Sequence, residues 1–157
     1  MRDLPHIESI YVEVDGALDA QRTAAHADGD TAAVQRIESK QRINDQAYFV
    51  LCWGQLEMAI DDMCRNAIRR RQSSGNWAIR RAWDLYNPDD DRLSGLRFEH
   101  RTALVLDQKA GSNSPWAKTM SYYALRNQIA HGTLKAERID IHEVVQEFFQ
   151  IQSFLQG

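Results

Sequence analysis

Apolar positions along this chain recur at helical rather than strand spacing. The clearest run is Phe49, Trp53, Leu56, Ile60, Met63 and Ala67, whose alternating steps of four and three lay one apolar stripe along a helix. Few segments are both β-branched and alternating, and three prolines, Pro5, Pro88 and Pro115, are all that interrupt the chain, so the pattern predicts an all-α fold. A first helix is expected from about Ile7 to Ala25, weakened at Gly16. Asp28-Gly29-Asp30 reads as a turn whose Asp30 caps a long second helix, Thr31 to Arg71. A short helix from Trp77 to Tyr86 should stop at Asn87-Pro88, and another is expected around Phe98 to Asp107. Ser114 followed by Pro115 is an N-cap followed by proline at the first helical position. The helix it opens should close near His131, where Gly132 can take the left-handed conformation. Asp140-Ile141-His142-Glu143 has the form of a capping box. Val144, Val145, Phe148, Phe149, Ile151, Phe154 and Leu155 then make a last apolar helix.

Composition narrows the class. With 157 residues, 43% of them hydrophobic and 26% charged, the chain lies in the globular range and can fold as a single domain over residues 1–157 without disulfide or metal staples. Its longest apolar stretches, such as Ala47 to Trp53, fall far short of the roughly 20 residues of a membrane-spanning helix. The segment Met1 to His6 lacks the apolar core of a secretory signal, so a cytoplasmic location without membrane contact is expected. Cys52 and Cys64 would stand about 18 Å apart along one helix, which makes them core thiols rather than a disulfide. There is no C-x-x-C, no H-x-x-x-H, no glycine-rich phosphate loop and no G-x-S-x-G, so neither metal nor cofactor is expected.

A formal net charge of −3 argues against a general nucleic-acid-coating protein. Between Met63 and Trp83, however, the chain carries Arg65, Arg69, Arg70, Arg71, Arg80 and Arg81 and no acidic residue. Arg69, Arg70, Arg71, Arg80 and Arg81 are therefore candidate RNA contacts, with Trp77 and Trp83 available to stack on unpaired bases. The same residues also suit a solvated helix end, with arginines at the negative end of the dipole and tryptophans in the core. The acidic run Asp89 to Asp91 reads as a solvated loop that screens the patch.

Chemistry concentrates in Leu125-Arg126-Asn127-Gln128-Ile129-Ala130-His131-Gly132. On a helix Asn127 and His131 are one turn apart, while Arg126 and His131 are about 140° apart, all three flanking a stripe of Trp116, Met120 and Tyr123. An arginine holds a phosphate by charge-assisted hydrogen bonds, and an imidazole moves a proton on a ribose 2′-hydroxyl or a leaving oxygen. Those are the two functions that metal-free RNA cleavage requires, and Asn127 can orient the histidine or donate to a phosphate oxygen. One helix supplies one Arg and one His, whereas a symmetric dimer packing this helix on its twin brings two of each into one cleft. A histidine before a helix-ending glycine is also favourable on dipole grounds alone. Glu57, one position off the apolar stripe, sits at its edge as a boundary residue. A metal-dependent hydrolase built on Glu57, Asp61 and Asp62 has no histidine placed to complete it.

The segment Arg126 to Gly132 resembles the R-x4-6-H motif, commonly beginning Arg-Asn, of the HEPN superfamily (higher eukaryotes and prokaryotes nucleotide-binding domains). Phe49-Val50-Leu51-Cys52-Trp53-Gly54-Gln55-Leu56-Glu57 is similar to the family's long second helix, with an acidic residue among aromatic and aliphatic ones, and the resemblance runs from about Ala33 to Leu155. It implies an up-down bundle of five to six helices that dimerises and acts as a metal-independent endoribonuclease leaving 2′,3′-cyclic phosphates. Such members serve as toxins of toxin–antitoxin pairs or as antiphage effectors with a partner protein. By position, Arg126 and His131 would be catalytic, Asn127 their polar companion and Glu57 a support. One toxin branch has a tyrosine two residues after the motif histidine; Thr133 stands there in this chain, so control by modification of that tyrosine is not expected. The rival expectation is a noncatalytic HEPN-like helical dimer serving as a binding module or a subunit of a defence complex.

Overall fold

Side-chain caps mark where four of the six described helices begin. A computed structural model describes residues 1–90 and 93–156, and these are all-α: α1 Leu4–Ala27, α2 Thr31–Gln72, α3 Trp77–Trp83, α4 Phe98–Val105, α5 Pro115–Ala130 and α6 Ile141–Gln156, with a short 3-10 turn at Leu93–Gly95. Asp30 Oδ1 accepts from the Ala33 N–H at 2.8 Å, Ser114 Oγ from Ala117 at 3.1 Å and Asp140 Oδ1 from Glu143 at 3.0 Å. Each satisfies a donor that the first helical turn cannot pair internally. α1 starts at Leu4, earlier than Ile7, because Pro5 fits a first turn whose N–H groups have no helical partner. α3 stops at Trp83 rather than Tyr86; Gln72 Nε2 donates to the carbonyls of Trp83 at 2.9 Å and Tyr86 at 2.7 Å, so α2's last residue ties down the end of α3. α4 ends at Val105 rather than Asp107 because Leu106 turns extended and buries its side chain. Asp91, part of the expected acidic loop, lies outside the described residues.

The chain divides into two units, Met1–Gln55 with Tyr122–Phe149, and Leu56–Ser121 with Gln150–Gly157. In the first, the pairs Asp3 with Gln55, Tyr11 with Asp45 and Asp15 with Gln41 run in opposite directions, so α1 lies antiparallel along α2. Phe49 and Trp53 of α2, Tyr122 of α5 and Phe148 of α6 form an aromatic core: Tyr122 meets Phe148 edge-on at 5.1 Å, Trp53 meets Phe148 at 6.3 Å and Phe49 meets Tyr122 at 6.0 Å. Tyr122 donates its hydroxyl to Glu147 at 2.6 Å, and burial together with that bond raises its phenol above the ordinary value.

Beside this core the same unit buries a charge. Asp45 is 0% exposed and takes two bonds from Arg138, Nε to Oδ2 and Nη2 to Oδ1, both at 2.8 Å. Tyr11 donates to it at 2.9 Å and the Ile139 N–H at 3.3 Å. Arg138 also reaches Asp15 at 2.6 Å, and its hydrogen bond with Asp45 pulls its guanidinium further up from an already high value. Next to it, Gln46 grips the main chain of Lys135, donating to the carbonyl at 3.3 Å and accepting from the N–H at 3.1 Å. The connection from α5 to α6 is thus bound to α2 through two successive α2 side chains.

In the second unit α2 buries Leu56, Ile60, Cys64 and Ile68, each 0% exposed, in place of the expected Met63 and Ala67, which are half-buried. Each step of four advances about 40° around a 3.6-residue helix, so the buried line spirals where alternating fours and threes would have kept it straight. Cys64 and Ile68 pack with Leu93, surrounded by Trp83, Tyr86, Leu96, Leu104 and Val105. Both cysteines are free and buried, and burial pushes Cys52 up to about 12 and Cys64 up to about 11, as inert core thiols should be. On α6 the expected apolar set separates: Val144, Val145, Phe148, Ile151 and Leu155 are buried, whereas Phe149 and Phe154 face solvent. No described helix is long and apolar enough to cross a membrane.

Removing Arg138 would strand the Asp45 carboxylate. Arg138→Ala is expected to lower stability by about 2–4 kcal/mol in urea unfolding, somewhat below the cost of breaking a fully buried pair because Arg138 is 39% exposed. The Asp45→Ala, Arg138→Ala double variant should lose less than the sum of the two single losses. Strict additivity would contradict the coupling.

Candidate functional site

The segment singled out by sequence forms the last turns of α5 and the residues just after them. His131 is the first residue past the helix: its N–H donates to the Asn127 carbonyl at 3.0 Å, the Gly132 N–H to Ile129 at 2.9 Å and the Thr133 N–H to Gln128 at 2.9 Å. With Gly132 at φ 82°, these bonds make a Schellman close, the stop expected from the sequence. The stop turns the chain sharply and leaves the His131 side chain exposed, without a hydrogen bond or ion pair among the described residues.

Arg126 and Asn127 are half-buried, and Arg126 Nη1 donates to Asn127 Oδ1 at 3.2 Å. Arg126 Nε is buried with no partner, an uncompensated donor of the kind that native structures rarely keep without reason. The structure therefore joins Arg126 to Asn127 by side chains and Asn127 to His131 by main chain. It forms no bond between Arg126 and His131 within one chain.

Two anchors hold this helix end. Upstream, Tyr122 and Tyr123 of α5 pack on α2 aromatics, Tyr123 lying 6.0 Å from Trp53. Downstream, Lys135 and Arg138 are held by Gln46 and Asp45. Sequence reasoning did not find Asp45, Gln46 or Arg138; the available signal was Gln41 and Asp45 falling on the same steps of four as Ile37, Phe49 and Trp53, positions where a polar residue must have a partner.

Glu57 belongs to the second unit, where Arg101 Nη2 stands 3.5 Å from it. The same arginine, 15% exposed, holds both oxygens of Asp61, whose carboxyl is raised by burial against the pull of Arg101. Asp62 pairs with Arg65 at 3.7 Å. The three carboxylates considered for a metal are thus occupied by arginines, and no metal-ligating cluster is found among the described residues.

The basic segment is less uniform than its sequence. Arg69 pairs with Asp89 at 2.6 Å, which is the screening expected of the acidic loop, and Arg80 pairs with Asp84 at 3.3 Å. Arg71 lies over the Trp83 ring at 5.9 Å and Arg81 over Trp77 at 5.1 Å. Trp77 is 63% exposed, so the expectation of both tryptophans in a core fails for it, while Trp83 does pack against the second unit's apolar cluster.

Gly132→Ala would place a Cβ that meets nothing within 4 Å, leaving the left-handed backbone as the whole penalty. It is expected to cost about 1–2 kcal/mol in thermal or urea unfolding; unchanged stability would contradict the closing geometry. Compared with protein-family models, curated proteins and solved structures, the chain matches none.

Proposed function

We propose that this protein is a cytoplasmic, metal-independent endoribonuclease of the HEPN type, acting on RNA as a homodimer. The observation that carries the reading is the polar edge at the end of α5, where Arg126 has an unpartnered buried Nε and His131 stands exposed just beyond a rigid helix stop. In a composite cleft, one His131 takes the proton of a ribose 2′-hydroxyl and the freed oxygen attacks the adjacent phosphorus. The 5′-oxygen leaves with a proton supplied by the twin His131, giving a 2′,3′-cyclic phosphate and a 5′-hydroxyl. The two Arg126 guanidiniums stabilise the phosphorane, and Asn127 keeps Arg126 in place.

Pairing of two chains is supported by an apolar line on α2, Ile43, Ala47 and Leu51 at steps of four, with Ile43 53% and Leu51 54% exposed. The resemblance to HEPN toxins and antiphage effectors supports a role restrained by a partner protein. The bond from Arg126 to Asn127, rather than toward His131, favours the rival reading of a noncatalytic helical dimer that binds partners.

Cleavage of a mixed RNA pool in excess EDTA separates the two. The wild type is expected to leave cyclic phosphate ends, His131→Ala to be slower by about 10²–10⁴ and Arg126→Ala by about 10²–10³, with both variants folded by circular dichroism. Equal cleavage by wild type and His131→Ala, or none from a folded wild-type dimer, would overturn the nuclease.

A further inference from the structure

Positive charge is distributed unevenly. Residues of the first unit carry eight basic and thirteen acidic side chains, those of the second eleven and nine. Within the second unit an open groove of about 810 Å³ lies between the end of α2, α3, α4 and the last turn of α6. Arg70, Arg71 and Ser74 stand at its polar side, and Trp83, Leu104 and Phe154 contribute apolar surface. Unlike Arg69 and Arg80, which acids neutralise, Arg70 and Arg71 have no carboxylate partner among the described residues and both are exposed. Arg71 keeps its guanidinium over the Trp83 ring, 5.9 Å from the centroid. Phe154, 61% exposed, presents a second aromatic face.

We infer that this groove binds a single-stranded stretch of RNA, with phosphates on Arg70 and Arg71 and unstacked bases against Trp83 and Phe154. The inference rests on the reading of RNA as the protein's substrate and adds a binding surface made of residues other than the motif. Charge complementarity selects the occupant: two unneutralised arginines beside aromatic and aliphatic surface match a polyanion whose bases have apolar faces. A docked peptide helix would want a continuous apolar trough with anchors at helical spacing. Here Arg70, Arg71 and Ser74 make one side of the lining polar. Trp77 and Arg81 lie on the opposite face of α3 from Ile79 and Trp83 and are outside the groove.

The test is fluorescence anisotropy of a labelled oligouridylate with the full-length chain in EDTA, repeated on His131→Ala so that cleavage cannot distort the signal. An Arg70→Ala, Arg71→Ala double variant should bind about tenfold or more weakly near 0.1 M salt, and its slope of log affinity against log salt should be less steep by about 1.4, the contribution of two single-strand phosphates. An Arg36→Ala, Lys40→Ala double variant, an equal loss of charge from exposed residues of the first unit, should change affinity less than about twofold. Arginine-dependent binding by a protein that cleaves no RNA would support the groove while removing the nuclease reading. Unchanged binding in the double variant would overturn the groove, as would absence of RNA binding alongside capture of an acidic amphipathic peptide.

Discussion

A carboxylate with no exposure to water must be paired, and in the first unit that requirement is met at Asp45. Four donor groups converge on it: the two guanidinium nitrogens of Arg138, the hydroxyl of Tyr11 and the N–H of Ile139. They come from α1 and from the connection between α5 and α6, so one buried charge on α2 ties together segments more than ninety residues apart. Gln46 repeats the device one residue later through the Lys135 main chain. The aromatic core supplies nondirectional stability, whereas these polar contacts set where the chain emerging from Gly132 must run.

That division explains which features were legible in sequence. Helix starts at Asp30, Ser114 and Asp140 and the stop at Gly132 are local events, each decided by a side chain within a few residues of the group it satisfies, and they fell where the sequence placed them. The apolar stripe on α2 was legible through Ile60 but not at Met63 and Ala67, because beyond Ile60 the buried positions continue at steps of four, to Cys64 and Ile68, with no further step of three. The end of α3 depends on Gln72, fourteen residues from the Tyr86 carbonyl it binds, and no local signal announces it. The Asp45 network was least legible: Arg138 lies ninety-three positions away, and sequence alone does not name the partner of a buried acid.

The candidate chemistry divides in the same way. Arg126, Asn127 and His131 share one helix end and were found together from their spacing, yet within one chain Arg126 turns to Asn127 and His131 stays in solvent. The proposed composite cleft therefore needs a second copy to bring an Arg126 and a His131 together. The arginine-rich segment looked uniform as sequence, but folding sorts it into members that acids neutralise, Arg69 and Arg80, and members that stay available, Arg70 and Arg71. In both places the fold selects among chemically equivalent residues by what it sets beside them.

If α2 fixes the chain leaving the Arg126-to-His131 segment, amide hydrogen exchange reads that restraint residue by residue. The Lys135 and Ile139 N–H groups, bound to Gln46 and Asp45, should exchange about a hundredfold or more slowly than those of Ala136 and Glu137 between them. In Gln46→Ala, protection at Lys135 should disappear while that at Ile139 persists. Exchange at Lys135 and Ile139 as fast as at their neighbours would mean that α2 does not hold the connection and that the end of α5 is positioned by other contacts.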